Sequence, residues 1–217
     1  MKTAFICGAA ELCGRPLSAV GDDIIIAADG GFEQLLAHGI KPDVLIGDFD
    51  SMPRADAESF ANIIAHKPEK DDTDMALAAD YAFEKGFGRM HIYGGCGGRF
   101  DHSFANISLL ASLAARGAQA YMFGKDFAFA AVSDGRLDFE CGYQGIISVF
   151  AFGGTAYGVN LHGLKYPLTD YTMLPDRAIG VSNEFVGTHS SVSVKNGLLV
   201  VMWQDDPKHP LPVFSKN

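Results

Sequence analysis

The stretch that decides the fold is MHIYGGCGGRFDH, residues 90–102. It begins with a short apolar run and passes through a block of four glycines. It then leads into residues 102–116, where apolar side chains recur at helical spacing. This order predicts a buried strand, a tight loop and a helix. Strand–loop–helix units of this kind are typical of open α/β sheets, which bind ligands beyond the carboxyl ends of their strands.

The same alternation extends outward over the first part of the chain. Short apolar runs predict strands at residues 4–7, 24–28, 43–47, 63–65 and 120–123, and helical spacing predicts helices at 32–38 and 73–85. Strands that alternate with helices favour a parallel sheet. We therefore expect an N-terminal, mainly parallel α/β sheet domain over residues 1–125.

The pattern changes near residue 125, after which short strands follow one another without helices. These strand predictions cover residues 127–133, 137–140, 146–152, 192–194 and 198–203. The last two are joined by Lys195-Asn196-Gly197, and Asn-Gly is the commonest signal for a type I′ hairpin turn. We expect a smaller C-terminal antiparallel β-sandwich domain over residues 126–217.

Composition narrows the functional classes. The chain has 217 residues, 48% hydrophobic and 20% charged, as in globular proteins. Its net charge of −9 disfavours binding to nucleic acids or anionic membranes, so we expect neither as a partner. The longest stretch without Asp, Glu, Lys or Arg, residues 141–164, is rich in glycine and polar residues, so we expect no membrane span. The start of the sequence lacks a cleavage signal, so we expect no leader peptide. Four scattered cysteines favour free thiols in a reducing cytoplasm.

Acidic residues cluster around the predicted strands. Asp48 and Asp50 follow an apolar run, and side chains two residues apart in an extended chain share a face. Residues 71–74 add three more carboxylates at the start of a helix. Carboxylates held close together repel, and a divalent cation would offset that repulsion. The alternative is that these residues only cap the helix and occupy separate solvated turns.

Glycine-rich turns supply the second chemical signal. The glycines in residues 94–98 allow the backbone to approach a ligand closely. The N-terminus of the helix predicted at residues 102–116 offers N–H groups to an anion, and Arg99 could contact a phosphate. A plain glycine-rich turn is the alternative. Asp29-Gly30-Gly31 forms another strand-to-helix turn. If the turns converge on one sheet edge, they indicate phosphate binding or phosphoryl transfer with a magnesium nucleotide. The turns do not indicate which molecule would accept the phosphoryl group.

Several ordered blocks together resemble the thiamine pyrophosphokinase family, also called thiamine diphosphokinases. The blocks are residues 28–31, 42–43, 47–51, 70–74, 94–102, 163–168 and 182–183. The resemblance implies an α/β nucleotide domain, a C-terminal β-sandwich and a homodimer. It also implies Mg²⁺-dependent transfer of the pyrophosphoryl group of ATP to the hydroxyethyl oxygen of thiamine, with release of AMP.

The resemblance also implies site residues. Asp48, Asp50 and Asp74 would hold Mg²⁺, with Asp71 nearby, while Lys70 and Arg99 would face phosphate. The residues implied at the nucleotide are Asp29, Gly30, Gly31, Gly97, Gly98, Asp101 and His102. Ser182 and Asn183 would serve thiamine.

Some positions depart from the family pattern. Asp72 stands where many members have Gln or His, and Val200 stands where animal members carry a Trp that packs on thiamine. Trp203 lies three residues further on, so in a regular strand it faces the other way, and we expect it to be a packing or an edge residue.

Three other functions are alternatives to the thiamine pyrophosphokinase activity that the resemblance implies. A pyrophosphokinase that acts on another alcohol such as a pterin is one, and a non-catalytic nucleotide- or thiamine-binding module is another. The third is a phosphatase of the haloacid-dehalogenase type, but Met52 stands where that motif expects Thr or Val.

Overall fold

The computed structural model describes residues 1–47, 63–65 (backbone only) and 72–216. The helices α1 to α3 are Gly31–Ala37, Asp74–Glu84 and Phe100–Ala115. The strands β1 to β8 are Thr3–Cys7, Ile24–Ala28, Val44–Gly47, Ile63–Ala65, Arg89–Tyr93, Gln119–Phe123, Phe127–Ser133 and Gly135–Phe139. The strands β9 to β15 are Ile146–Ala151, Ala156–His162, Leu168–Met173, Gly180–Glu184, Ser190–Ser193, Leu198–Gln204 and Val213–Lys216.

The strands form two sheets. Ten make a large mixed sheet in the order β12-β9-β14-β7-β6-β5-β1-β2-β3-β4. Five make a second, antiparallel sheet in the order β11-β10-β13-β8-β15. The α/β class expected from the sequence is confirmed at this level.

The chain divides into two compact units, one of residues 1–106 with 122–124, the other of residues 107–121 with 125–217. In the first unit β1 pairs in parallel with β2 and β5, β2 with β3, and β3 with β4. Every residue of β1 and β3 is buried. Strands covered on both faces need continuous apolar runs, which is the pattern that the sequence has there.

Helix α2 belongs to the same unit and lies within the helix predicted at residues 73–85. Thr73 caps its N-terminus, with its Oγ1 accepting a hydrogen bond from the Ala76 N–H at 3.2 Å. Its buried side chains recur at helical spacing, and they are Met75, Ala78, Ala79 and Ala82. The small alanines let the helix approach β1, β2 and β3, with which it is in contact.

In the second unit β14 lies between β7 and β9 and is antiparallel to both. Trp203 in β14 is fully buried, and its ring meets that of Phe139 in β8 edge-on at 5.5 Å between centroids. The Trp203 Nε1–H donates to Asp205 Oδ1 at 3.1 Å. Of the two roles expected for Trp203, packing or an edge position, the structure shows packing.

The hairpin expected at Lys195-Asn196-Gly197 is wrong. The strand before it, β13, pairs with β8 and β10, while the strand after it, β14, pairs with β7 and β9. The turn's own backbone groups pair elsewhere, because Tyr157 N–H donates to the Asn196 carbonyl at 2.8 Å and Gly197 N–H donates to Asp134 Oδ1 at 2.8 Å. Asn-Gly here carries the chain from one sheet to the other.

Within the described part of the chain, no helix has the length and apolar character needed to cross a membrane. The four cysteines all lie in that part and carry free thiols. Burial raises the pKa of Cys7 to about 12 and the pKa of Cys96 to about 11, so neither is a thiolate at neutral pH.

Candidate active site

The first unit contains a cavity of about 460 Å³ where loops follow β1, β2 and β5 and where α2 begins. The lining residues are Gly8, Ala9, Ala10, Ala28, Asp29, Thr73, Asp74, Met75, Gly94, Gly95, Gly97, Gly98, Arg99, His102 and Asn106. The carboxyl ends of parallel strands thus meet a helix N-terminus, as in other open α/β sheets that bind ligands. We call this space the strand-end cavity.

Two glycines bring the loops after β1 and β5 into contact. A Cβ on Gly8 would lie 2.8 Å from the Gly94 carbonyl oxygen, and a Cβ on Gly94 would lie 2.4 Å from the Gly8 carbonyl oxygen. The Ala10 N–H donates to that Gly94 oxygen at 3.2 Å. Any side chain at either position would force the two strand ends apart and change the cavity floor.

The turn after β2 places Asp29 on the cavity wall in a left-handed conformation, with φ of +46°. Two bonds hold it there: its N–H donates to the Ile46 carbonyl at 2.9 Å, and its carbonyl accepts from Phe32 N–H at 3.2 Å. Non-glycine residues are uncommon in this conformation, and Asp is one of the few that adopt it readily, as Asp134 and Asp170 also do in this chain.

Gly30 and Gly31 follow, and neither belongs to the cavity lining. A Cβ on Gly31 would lie 1.8 Å from the Cys7 carbonyl oxygen, so only glycine lets α1 start against β1. Close packing is the role that this geometry gives Gly31, and contact of either glycine with a nucleotide stays a prediction.

The glycine loop, residues 94–99, supplies one wall. Gly97 and Gly98 have φ of +109° and +68°, with open space where a Cβ would stand. Arg99 is largely exposed and pairs with Asp101, with Nη2 and Oδ2 2.6 Å apart. That hydrogen bond lowers the pKa of Asp101 to about 2 and raises the pKa of Arg99, so the pair stays charged at any physiological pH. Arg99 and His102 line the cavity, whereas Asp101 is not among the lining residues.

Asp74 is the first residue of α2 and lines the cavity beside Thr73. Thr73, and not Asp74, is the residue whose side chain caps the helix. Asp74 and Asp29 are the two carboxylates among the lining residues of the strand-end cavity. Across the described residues, no three His, Cys, Asp or Glu side chains are grouped as a metal site would require.

Four of the expected site residues lie outside the described residues. They are Asp48, Asp50, Lys70 and Asp71. Their roles in metal and phosphate binding remain predictions.

The expected thiamine residues lie in β12, in the second unit. Ser182 is exposed with φ of +56°, and its N–H donates to Ser148 Oγ at 3.1 Å. Asn183 is 3% exposed, and its amide holds the backbone of Tyr166 from both sides: Oδ1 accepts from the N–H at 2.9 Å and Nδ2 donates to the carbonyl at 2.7 Å. The structure therefore gives Asn183 a role in positioning the 163–168 segment.

Sequence reasoning did not single out Gly8, Met75 or Asn106, which also line the cavity. Gly8 could have been found, since it directly follows the apolar run of β1 just as Gly94 follows β5. Asn106 carried a weaker signal, an amide on the apolar side of a helix, where a buried polar group needs a specific partner.

Known proteins match this chain over both units. The family model described as thiamin pyrophosphokinase, catalytic domain, matches residues 19–122, and the one described as thiamin pyrophosphokinase, vitamin B1 binding domain, matches residues 136–199. Thiamine pyrophosphokinase of Bacillus subtilis (strain 168) is 30% identical over 186 residues, which is 83% of this chain and 87% of that protein.

Solved structures agree with these matches. A crystal structure of thiamine pyrophosphokinase from Bacillus subtilis has a TM-score of 0.82 at 28% identity, and the match covers 94% of this chain and 100% of that chain. A thiamin pyrophosphokinase family protein from Enterococcus faecalis has a TM-score of 0.80 at 22% identity over 95% of this chain and 100% of that chain, which supports the fold alone. From the family models and the Bacillus relative together, we conclude that the chain belongs to the thiamine pyrophosphokinase family.

Proposed function

We propose that this chain transfers the pyrophosphoryl group of ATP to the hydroxyethyl oxygen of thiamine, with Mg²⁺, and releases AMP. Its family makes it an enzyme, a thiamine diphosphokinase. The observation that carries the proposal is the strand-end cavity, where Asp29, Asp74 and the glycine loop with Arg99 line one space.

The cavity suits the nucleotide. Its volume of about 460 Å³ lies in the range of small-molecule sites, roughly 300–1,000 Å³. Gly97 and Gly98 leave space for a polyphosphate to approach the backbone, and Arg99 supplies a positive charge. We assign the nucleotide to Asp29, Gly30, Gly31, Gly97, Gly98, Asp101 and His102.

The donor chemistry fits a magnesium ion. Asp74 is a carboxylate on the cavity wall, and carboxylate oxygens together with phosphate oxygens are the ligands that Mg²⁺ prefers. We assign the ion to Asp74 with Asp48 and Asp50, and place Asp71 nearby. When bound, the ion would neutralise charge on the polyphosphate during the transfer.

The reaction requires positioning more than covalent chemistry. The thiamine hydroxyl oxygen attacks the β-phosphorus in line, a bond between them forms, and the bond from that phosphorus to the oxygen bridging the α-phosphate breaks. AMP leaves with the bridging oxygen, and the hydroxyl proton passes to an aspartate carboxylate near the hydroxyl. Lys70 and Arg99 hold the phosphates in place, since charge and alignment supply most of the rate enhancement in such reactions.

The remaining assignments concern the second half of the chain and the assembly. We assign residues 1–125 to a mainly parallel nucleotide domain and residues 126–217 to a β-sandwich that binds thiamine. Ser182 and Asn183 serve thiamine, Asn183 through its hold on the Tyr166 backbone. We also propose a cytoplasmic homodimer, for which light scattering should give a mass near twice 23.2 kDa.

A single assay tests the function against its competitors. The protein is incubated with ATP, Mg²⁺ and, in separate reactions, thiamine, a hydroxymethyl pterin or no acceptor, and AMP is measured. AMP that appears with thiamine supports the proposal. AMP that appears only with the pterin, or no AMP with any acceptor, would reject it in favour of another alcohol or of a binding module.

A further inference from the structure

We propose that Asn106 and Ser103, two residues of α3, are positioning residues that hold the glycine loop in the shape that receives the polyphosphate of ATP. The inference rests on the proposed function, because it takes the glycine loop as the phosphate-binding wall.

Asn106 fixes the start of the loop. Its side chain is 7% exposed, and its Nδ2 donates to the Gly95 carbonyl at 2.6 Å. Gly95 is itself tightly packed, since a Cβ there would lie 2.8 Å from Met122 Sδ and 3.1 Å from Ile92 Cγ2. The carbonyl is buried beside β5, and the Asn106 amide provides the partner that a buried carbonyl needs.

Ser103 fixes the far side of the loop. Its Oγ accepts a hydrogen bond from Gly97 N–H at 3.2 Å and donates one to the Arg99 carbonyl at 3.2 Å. Ser103 and Asn106 are three residues apart, so they lie on the same side of α3. Helix α3 therefore holds the loop at Gly95, Gly97 and Arg99.

This support matters because the middle of the loop has little packing of its own. Gly97 and Gly98 adopt positive φ and meet open space where side chains would stand. Glycines lose more conformational freedom on ordering than other residues. A loop already ordered by the helix binds its ligand without that entropic penalty. Removing the support should therefore weaken ATP binding and leave thiamine binding unchanged.

The test compares four variants in steady-state kinetics and in calorimetric binding of α,β-methylene-ATP, a probe that needs no turnover. Ser103→Ala removes both serine bonds, and Ser103→Thr keeps a hydroxyl in the same place. Asn106→Asp is nearly isosteric but presents a carboxylate to the Gly95 carbonyl. Ser112→Ala, at an exposed position of the same helix, is the matched control.

We expect Ser103→Ala to raise the KM for ATP and the Kd for the analogue about fivefold, the effect of one ordinary hydrogen bond, because the Arg99 carbonyl keeps the Ser103 N–H as a donor and only Gly97 N–H loses its partner. Asn106→Asp should raise both at least about tenfold. Ser103→Thr and Ser112→Ala should match the wild type, and the KM for thiamine should not change in any variant.

Four outcomes decide between the explanations. Wild-type values for ATP in both Ser103→Ala and Asn106→Asp would overturn the inference, as would equal rises in the KM values for ATP and thiamine. If Asn106→Asp does not fold, the comparison of Ser103→Ala with Ser103→Thr in KM for ATP and Kd for the analogue tests the inference. If the wild type binds the analogue but releases no AMP with thiamine, the proposed function fails, and the Kd values still judge the positioning role.

Discussion

Replacing Asp74 by Asn tests its proposed catalytic role separately from folding, because the structure gives helix capping and core packing to other residues. Thr73 caps α2 through its bond to Ala76 N–H, and the buried face of the helix begins at Met75. Asp74 lies between them on the cavity wall. Asn keeps the shape of the side chain and removes its charge.

The expected cost to stability is small. Loss of a negative charge in the first helical turn removes about 0.3–1 kcal/mol of interaction with the helix dipole. For a chain of this length that lowers Tm by no more than about 4 °C. If Asp74 holds the ion against the transferring group, the same change removes an electrostatic contact where charge develops, and turnover should fall on the order of 10²–10³-fold.

Thiamine-dependent AMP release and thermal unfolding, measured on one preparation, distinguish these outcomes. Asp80→Asn makes the identical chemical change on α2, at a residue outside the cavity lining, and should leave turnover unchanged. Turnover of Asp74→Asn within about threefold of the wild type would refute the assignment, since that is less than 1 kcal/mol of transition-state stabilisation.

Three further predictions follow from the same structure. Gly31→Ala places a Cβ 1.8 Å from the Cys7 carbonyl oxygen and should destabilise the fold by about 3 kcal/mol, whereas Gly154→Ala, with open space around it, should be neutral in the same denaturation experiment. Burial, and after it the charge of Arg89, lowers the pKa of His91 to about 4. Below pH 6.5 the unfolded chain therefore binds more protons at this histidine than the folded chain does. As the pH falls from 6.5 to 4, the free energy of unfolding should fall by at most about 3 kcal/mol. His91→Phe should remove that part of the pH dependence, and an unchanged dependence would contradict the assignment. EDTA should abolish turnover and added Mg²⁺ restore it, and full turnover in EDTA would exclude the metal role.

How far the sequence predicts the fold depends on how each strand is buried. Strands β1 and β3 are covered on both faces, so their apolar runs are plain in the sequence and were predicted. Strand β11 is mostly exposed and β12 is a short edge strand with Ser, Asn and Glu, so neither has an apolar run or a regular alternation. Hydrophobic periodicity cannot identify such strands, and neither β11 nor β12 was predicted.

The hairpin error has a different cause. Asn-Gly reports the local backbone conformation, and Gly197 does have a positive φ of +116°. Which strands pair afterwards depends on distant partners, here Tyr157 and Asp134, which lie far away in the sequence. Asn196 lacks the positive φ that a type I′ turn also requires, so local turn chemistry identified a bend here but neither its type nor the partners of its two strands.

The candidate site was predicted where its residue types are chemically distinctive. Asp29, Asp74, Gly97, Gly98, Arg99 and His102 were named from the sequence and line one cavity. Ser103 and Asn106 were not, because a hydroxyl on a helix gives no signal, and an amide on its apolar side gives only a weak one, until the carbonyls that they contact are known. Residues that support a site are harder to read from sequence than residues that face it.

The most direct test of the central claim follows the phosphorus atoms. Phosphorus NMR of a reaction containing the protein, ATP, Mg²⁺ and thiamine should show AMP and thiamine diphosphate appearing in equal amounts, without ADP, because the pyrophosphoryl group moves as one unit. ADP appearing with thiamine monophosphate would mean transfer of a single phosphoryl group. ATP that stays unchanged in the presence of thiamine would contradict the account altogether.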